Sequence, residues 1–313
     1  MQEPLAPPAA QGRRYDAICL GLNAFDHLCL VERFPPRGGK LRMSRMSISG
    51  GGQSATAACC LARLGWRVAY AGVHGDDEAG QKTEPWLRDF GVDPAGLVCK
   101  PGTGSQQAFI MVEEQTAERT IVWHRDDACR LEPEDVNPEL IKAGRVLHLD
   151  GHFLEPSLKA ARIARQHGLL VSLDGERVYE GTSELVSLCQ VVVGSNRFAQ
   201  RLTGIEEPRQ ALEALAALGP AWAGRTLGAD GAEMLVAGKY LKQPGFKVAA
   251  VDTTGAGDVF HAGLVHAMLM NQNPRQALAT ACALAAMSVT QLGGRSALPT
   301  RDQLESFLAK HKS

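Results

Sequence analysis

From about residue 140 onward, short apolar runs alternate with helix-patterned stretches, and no other feature restricts the fold as much. VLHLD (146–150) precedes a helical pattern that reaches about His167 and stops at Gly168. LLVSLDG (169–175) and VVVGSN (191–196) each precede another. A helix follows over about 208–218, then β pattern to about 251, then helices to about 291 and again after Pro299. Upstream, Tyr15 to Gly21 and Val68 to Gly72 read as further buried strands, with a helix over Glu78 to Phe90. Strands that alternate with helices pair in parallel and carry helices on both faces. A three-layer α/β domain with a mostly parallel central sheet is therefore expected over 14–313. Two β-rich pieces, about 27–48 and 105–124, break the alternation. They are expected to form a small second sheet covering one side as a lid.

The first thirteen residues, rich in Pro and Ala, read as a disordered tail without the apolar segment of a signal peptide. The chain of 313 residues is 45% apolar and 21% charged, with a formal net charge of -1. Such a balance gives no basic face for nucleic acid or an anionic membrane surface. No apolar run approaches the roughly 20 residues that span a bilayer. Eight cysteines fall mostly in apolar runs without CxxC or Cys/His spacing. Buried, reduced thiols in a cytoplasmic protein are the expectation.

The stretch VDTTGAGDVF (251–260) concentrates the chemistry. A β segment ends near Val251, and an apolar helix starts beyond Gly257. Backbone amides at a helix start lack internal partners, and glycines let an anion approach them. Asp258 beside such a cradle repels phosphate unless it accepts a proton from a hydroxyl attacking that phosphate. On these residues alone two readings stay open: a phosphoryl-transfer site, or a turn with a capping aspartate. No GxxxxGK[ST] loop is present, and GGGQSA (50–55) matches GxGxxG only loosely.

VDTTGAGDVF resembles the C-terminal signature DTxGAGD of the ribokinase-like (PfkB) carbohydrate kinases. GLNAFDHLCLVERFPPRGGK (21–40) resembles their first strand. SGGGQSATAACCLARLG (49–65) resembles their glycine-rich N-terminal signature. Asn196 followed by Leu202-Thr203-Gly204, and then RTLGADGAEML, resemble their nucleotide-binding segments. SQQAFIMV and AERTIVWHRD resemble the lid of the fructose-type members. The resemblance spans about 15–310 and implies a ribokinase-like fold.

It implies Asp258 as base and Gly255, Ala256 and Gly257 as the anion hole. Asp26, Gly51 and Gly52 would line the sugar site. Thr56 stands where the family often has Asn. Gln107 and Trp123 are expected on lid strands facing the sugar, with Lys40 pointing a cation at it. Asn196, Thr226, Gly228, Gly231 and Cys282 would serve ATP. Ala199 replaces the glutamate of the family's NxxE motif, leaving Mg²⁺ to ATP phosphates and water. Asp252 and Thr254, with carbonyls near Val289 and Gly294, form a candidate K⁺ site, and Arg295 is expected to salt-bridge at the surface. His152 and Arg177 are weaker site candidates after strands.

The implied activity is transfer of the γ-phosphoryl group of ATP to a hydroxymethyl group of a sugar, ketose-like substrates being favoured. Sulfonated sugars are within the resemblance, but no arginine partner near His152 or Trp123 is evident in the sequence, so a neutral sugar is expected. A nucleoside kinase of the same fold and a non-catalytic sugar or nucleotide sensor are the alternatives. The lid's strand edges suggest a homodimer through the lid.

Overall fold

A computed structural model describes residues 4–311. A nine-stranded sheet forms its centre. In spatial order the strands are Lys239–Gln243, Ala232–Val236, Trp222–Thr226, Val191–Gly194, Leu170–Gly175, Val146–Leu149, Ala17–Leu20, Val68–Gly75 and Asp93–Lys100. Trp222–Thr226 through Asp93–Lys100 pair in parallel. The last two strands turn antiparallel at one edge, where short hairpins replace crossover helices. One apolar core lies on each face, as parallel strands covered by helices require. The α/β architecture is the one the alternation predicts.

Helix Ala256–Leu269 is buried from Val259 to Leu269, so it runs through the interior rather than along the surface. Its neighbour Pro274–Ser288 packs closely on it because Gly263 has no side chain. A Cβ there would lie 2.5 Å from the Ala281 Cα. His266, buried in that helix, accepts a hydrogen bond from the Trp66 indole at 3.0 Å. A polar group in the core is thus satisfied.

A second sheet orders Arg45–Gly51, Ala24–Val31, Gln107–Glu113 and Arg119–His124. The two central strands are parallel and the outer pairs antiparallel. Leu28, Ala108, Ile110 and Val112 pack its inner face onto Leu292. The strands reach three residues beyond the expected lid boundaries at Ala24 and Gly51, which brings Asp26 onto the lid itself.

The tail expected to be disordered is corrected over 4–13, and residues 1–3 lie outside the described residues. Leu5 packs against the core, the Pro8 carbonyl accepts from Arg145 Nε at 2.8 Å, and Arg13 bonds the His167 carbonyl at 3.1 Å. A proline-rich segment cannot make its own ladder, but its carbonyls are free to accept from arginines of the body. All eight cysteines are free thiols. Cys99 is exposed and Cys29 half-buried, whereas the others are buried.

Candidate active site

Asn196 and Thr226 stand at the C-terminal ends of parallel strands, where open α/β sheets place their ligands, and Asp26, Gly51, Gln107 and Trp123 lie on the lid sheet. The VDTTGAGD turn is held by a carboxylate. Buried Asp252 accepts from the Thr254 amide through Oδ1 and from the Gly293 amide through Oδ2, both at 2.8 Å. Gly255 caps the helix with φ +75°, and a Cβ there would meet the Gly294 Cα at 2.9 Å. Only glycine fits that approach. Gly257 sits in the first helical turn with nothing within 4 Å of where its Cβ would project. The space beside Gly257 is therefore open, while the Ala256 amide donates back to the Thr253 carbonyl at 3.3 Å.

Asp258 occupies the same turn. Burial pushes its carboxyl well above the usual carboxylate range, and the charges of Asp174, Glu176 and Asp150 push it further, with Arg119 opposing. That environment suits a group that must take up a proton. Arg119 went unremarked among the candidates, although it lies in the AERT lid segment. From the lid it donates to Thr253 Oγ1 at 2.7 Å, reaching into the turn. Asp150 and Asp174 were also missed, yet each closes a strand in VLHLD and LLVSLDG, and strand ends are where sites collect. Asp174 is paired with buried His261 at 3.0 Å.

Asp26 is 5% exposed, and no described hydrogen-bond donor reaches its carboxylate. Burial raises its pKa to about 7, partly offset by the nearby Arg295 guanidinium. Gly51 lies hard against it, since a Cβ there would fall 2.0 Å from Asp26 Oδ2. Gly52, at φ +86°, crosses the Asn23 backbone closely enough to exclude any side chain. Thr56 is buried and accepts from Arg295 Nε at 3.2 Å.

Arg295 is not the surface ion-pairing residue expected. It is 7% exposed and bonds the Gly51 carbonyl at 2.5 Å. The GGR loop turns inward because Asp252 draws in the Gly293 amide.

Gln107 requires a second correction. Successive side chains of a strand point to opposite faces. Asp26 is in register with Ala108, and Ala108 with Trp123, so these share the inner face. Gln107 pairs with Phe25 on the outer face and bonds His27 Nε2 at 3.2 Å.

Trp123 keeps the predicted face, and Arg177 lies over its ring at 5.3 Å. Arg125 lies 4.9 Å over the Phe153 ring, next to His152. The absence of an arginine near Trp123 and His152, which favoured a neutral sugar, is thereby overturned. The folded chain brings together residues too far apart in sequence to pair by inspection. Lys40 is exposed on the loop between two lid strands, and no described hydrogen bond or ion pair ties it to the site.

On the far side, Asn196 follows strand Val191–Gly194 and accepts from Arg225 at 3.3 Å. Thr226 ends the adjacent strand. Gly228 and Gly231 have φ of +60° and +93°, and a Cβ on Gly231 would collide with the Gln243 carbonyl at 2.0 Å. Ala199 is buried in the core and Cys282 is 5% exposed within the opposite core. Among the described residues, no group of three or more His, Cys, Asp or Glu side chains could hold a metal ion. The candidate K⁺ site has one suggestive atom, since buried Thr254 Oγ1 lacks any hydrogen-bond partner. The Val289 carbonyl already accepts from the Val251 and Asp252 amides.

A lidded α/β domain with a glycine turn at a helix start, an adjoining half-buried carboxylate and a second, buried carboxylate on the lid's inner face fits a phosphotransferase acting on a small hydroxyl compound. Comparison with known proteins agrees. The family model of the pfkB family carbohydrate kinases matches residues 15–301. Ribokinase of Haemophilus influenzae is 30% identical over 298 residues, covering 92% of this chain and 97% of its own. Aminoimidazole riboside kinase of Salmonella typhimurium is 32% identical over 289 residues, covering 83% and 88%. The crystal structure of a putative ribokinase from Agrobacterium tumefaciens superposes with a TM-score of 0.88 at 29% identity, covering 95% and 98%. The chain belongs to the pfkB family of carbohydrate kinases and is an ATP-dependent carbohydrate kinase.

Proposed function

We propose that this enzyme transfers the γ-phosphoryl group of ATP to a hydroxymethyl group of a sugar, a ketose-like one being favoured. The observation that carries the reading is a pair of carboxylates with raised pKa, buried Asp26 and half-buried Asp258. Asp258 adjoins the glycine cradle, and Asp26 lies on the inner face of the lid without a described donor. Asp26 accepts from two sugar hydroxyls while Gly51 and Gly52 allow the ring to approach the backbone. Asp258 takes the proton of the attacking hydroxyl. The hydroxyl oxygen bonds to the γ-phosphorus as the bond to the ADP oxygen breaks. The amides of Gly255, Ala256 and Gly257 stabilise charge on the transferred group. Lid closure excludes water, which limits futile hydrolysis.

Asn196, Thr226, Gly228 and Gly231 form the nucleotide side. Cys282 is better read as core. Mg²⁺ supplies charge neutralisation on the triphosphate. With Ala199 in place of a glutamate, Asn196 is the protein's contribution near it, through water. K⁺ suits the orphaned Thr254 Oγ1, with Asp252 and the Gly294 region completing the site and Val289 contributing least. The reading places the enzyme in the cytoplasm, and no described helix is long and apolar enough to cross a membrane. It also pairs two copies through the lid's outer face, where Met46, Ile48, Phe109 and Val122 stand exposed together.

ADP release, measured for wild type and Asp258→Asn across ketoses, aldoses, sugar acids, sugar phosphates and nucleosides, tests this. Loss of about 10²–10⁴ in kcat with substrate binding kept supports Asp258 as base. A variant as active as wild type overturns it. Turnover of nucleosides alone would replace the sugar by a riboside. ATP binding without turnover of any acceptor would favour a sensor.

A further inference from the structure

We propose that Arg125 and Arg177 form a receptor for a second anionic group on the sugar, a phosphate, sulfonate or carboxylate remote from the hydroxyl that is phosphorylated. The inference rests on the kinase reading above and names its substrate class.

Arg125 follows the lid strand Arg119–His124, and Arg177 follows the central strand Leu170–Gly175. Their guanidinium groups stack on Phe153 and Trp123 at 4.9 and 5.3 Å, so both are held at the junction of lid and body. Neither makes a hydrogen bond or salt bridge to any described residue, although their neighbours are acidic. Asp150 lies near Arg125, but its oxygens are taken by the amides of Leu22, Ser54 and His152 at 2.7, 3.2 and 3.1 Å. Glu176 precedes Arg177, but it holds His152 Nε2 at 3.4 Å and the Gln53 amide. Asp126 turns back to the Ala128 amide at 2.9 Å.

Arg125 is half-buried and Arg177 exposed at the rim, and burial lowers the pKa of Arg125, with Asp150 opposing and Arg177 adding to the effect. An unpaired, partly desolvated charge such as Arg125 is unfavourable until an anion joins it, and Arg177 adds a second donor at the rim. Stacking on aromatic rings leaves the N–H edges of both groups available, and those edges match an oxyanion. The side of the site is fixed by Trp123, which shares the inner lid face with Asp26. The nucleotide candidates follow Val191–Gly194 and Trp222–Thr226, the first of which neighbours the strand before Arg177, whereas Arg125 follows the lid strand that carries Trp123. The anion therefore belongs to the acceptor rather than to ATP.

The test compares each acidic ketose with its neutral counterpart, using a 6-phosphate, a 6-sulfonate and a 6-carboxylate against the parent sugar. Wild type, Arg125→Gln, Arg177→Gln and the double variant are assayed for ADP release. A thermal shift with the acceptor alone gives binding independently of turnover. Wild type is expected to favour at least one acidic acceptor by roughly a hundredfold in kcat/KM. Each single variant is expected to raise its KM about tenfold or more, as loss of a charged hydrogen bond would. The double variant should bring the acidic-to-neutral ratio close to one.

The phosphate, sulfonate and carboxylate arms identify which group is recognised. Preference for neutral sugars, a ratio unmoved by the variants, or a rise in the KM of ATP instead would each overturn the proposal while leaving the kinase standing. Arginine-dependent thermal shifts by an acidic sugar that is never phosphorylated would do the reverse. Absence of both shift and turnover with every acidic sugar would sink the anion receptor. Arg125→Lys and Arg177→Lys, which keep the charge, control for folding and should retain part of the preference.

Discussion

Asp26→Asn separates stability from binding in one substitution. In the folded protein, burial lifts the Asp26 pKa from 3.8 to about 7. The folded state therefore holds a proton that the unfolded chain has released between those two values. Stability contributed by this group is greatest at low pH and falls as pH rises through the window, because the native state must carry a buried charge. Asparagine does not titrate.

Linkage gives a change of about 2–3 kcal/mol in the variant-minus-wild-type stability between about pH 5 and about pH 8.5, in favour of the variant at the higher pH. Any fixed cost of burying an amide cancels from that difference. Arg295 keeps its bonds to Gly51 and Thr56 in the variant, so its own burial is little changed. Urea unfolding at a series of pH values measures the quantity. The same variant should raise the sugar KM by about a hundredfold, since a carboxylate that accepts from two hydroxyls has become a weaker acceptor. A stability difference that stays flat from acid to alkaline pH would refute the account of Asp26 as a desolvated carboxylate without a donor.

Gly257→Ala places a methyl group in open space, so the helix should gain about 0.5–1 kcal/mol by thermal unfolding while kcat falls as the methyl enters the anion cradle. Unchanged kcat would show that no phosphoryl group passes there. Arg119→Ala removes the lid's charged contact with Thr253 and should lower kcat about ten- to a hundredfold in steady-state assays. Full activity would mean that the contact is incidental. Phe109→Glu puts a charge on the outer lid face and should convert a dimer to a monomer by light scattering. A wild type that is monomeric at micromolar concentration would remove the basis for lid pairing.

Much of the fold was legible because period and punctuation carry it. The strands Val146–Leu149, Leu170–Gly175 and Val191–Gly194 stand where apolar runs precede helical ones. The glycine-aspartate turn was legible because few other jobs require bare backbone and a carboxylate at a helix start. What escaped was face and partner. Gln107 and Ala108 are neighbours in a β run, and choosing which one faces inward needs the register with Asp26, which only the paired strand supplies. Arg295 looked like a surface residue because nothing local shows that the Gly293 amide is drawn in from 41 residues away by Asp252. The tail from 4 to 13 looked disordered because its acceptor role depends on Arg145.

The inward turn of Arg295 has a consequence for how the site works. Asp252 binds both the Thr254 amide and the Gly293 amide, so one carboxylate joins the anion-hole turn to the loop carrying Arg295. Arg295 then bonds the Gly51 carbonyl and Thr56, beside Asp26. The backbone beside Asp26 and the phosphate cradle are thus linked through Asp252, the 293–295 loop and Arg295 rather than held by separate loops. Thr254, with its orphaned hydroxyl, sits inside that chain. A cation bound there would steady the cradle and, through Gly293 and Arg295, the floor of the sugar site. Its effect would then fall on sugar KM as well as on kcat, whereas a cation acting on the phosphates alone would move only the nucleotide side.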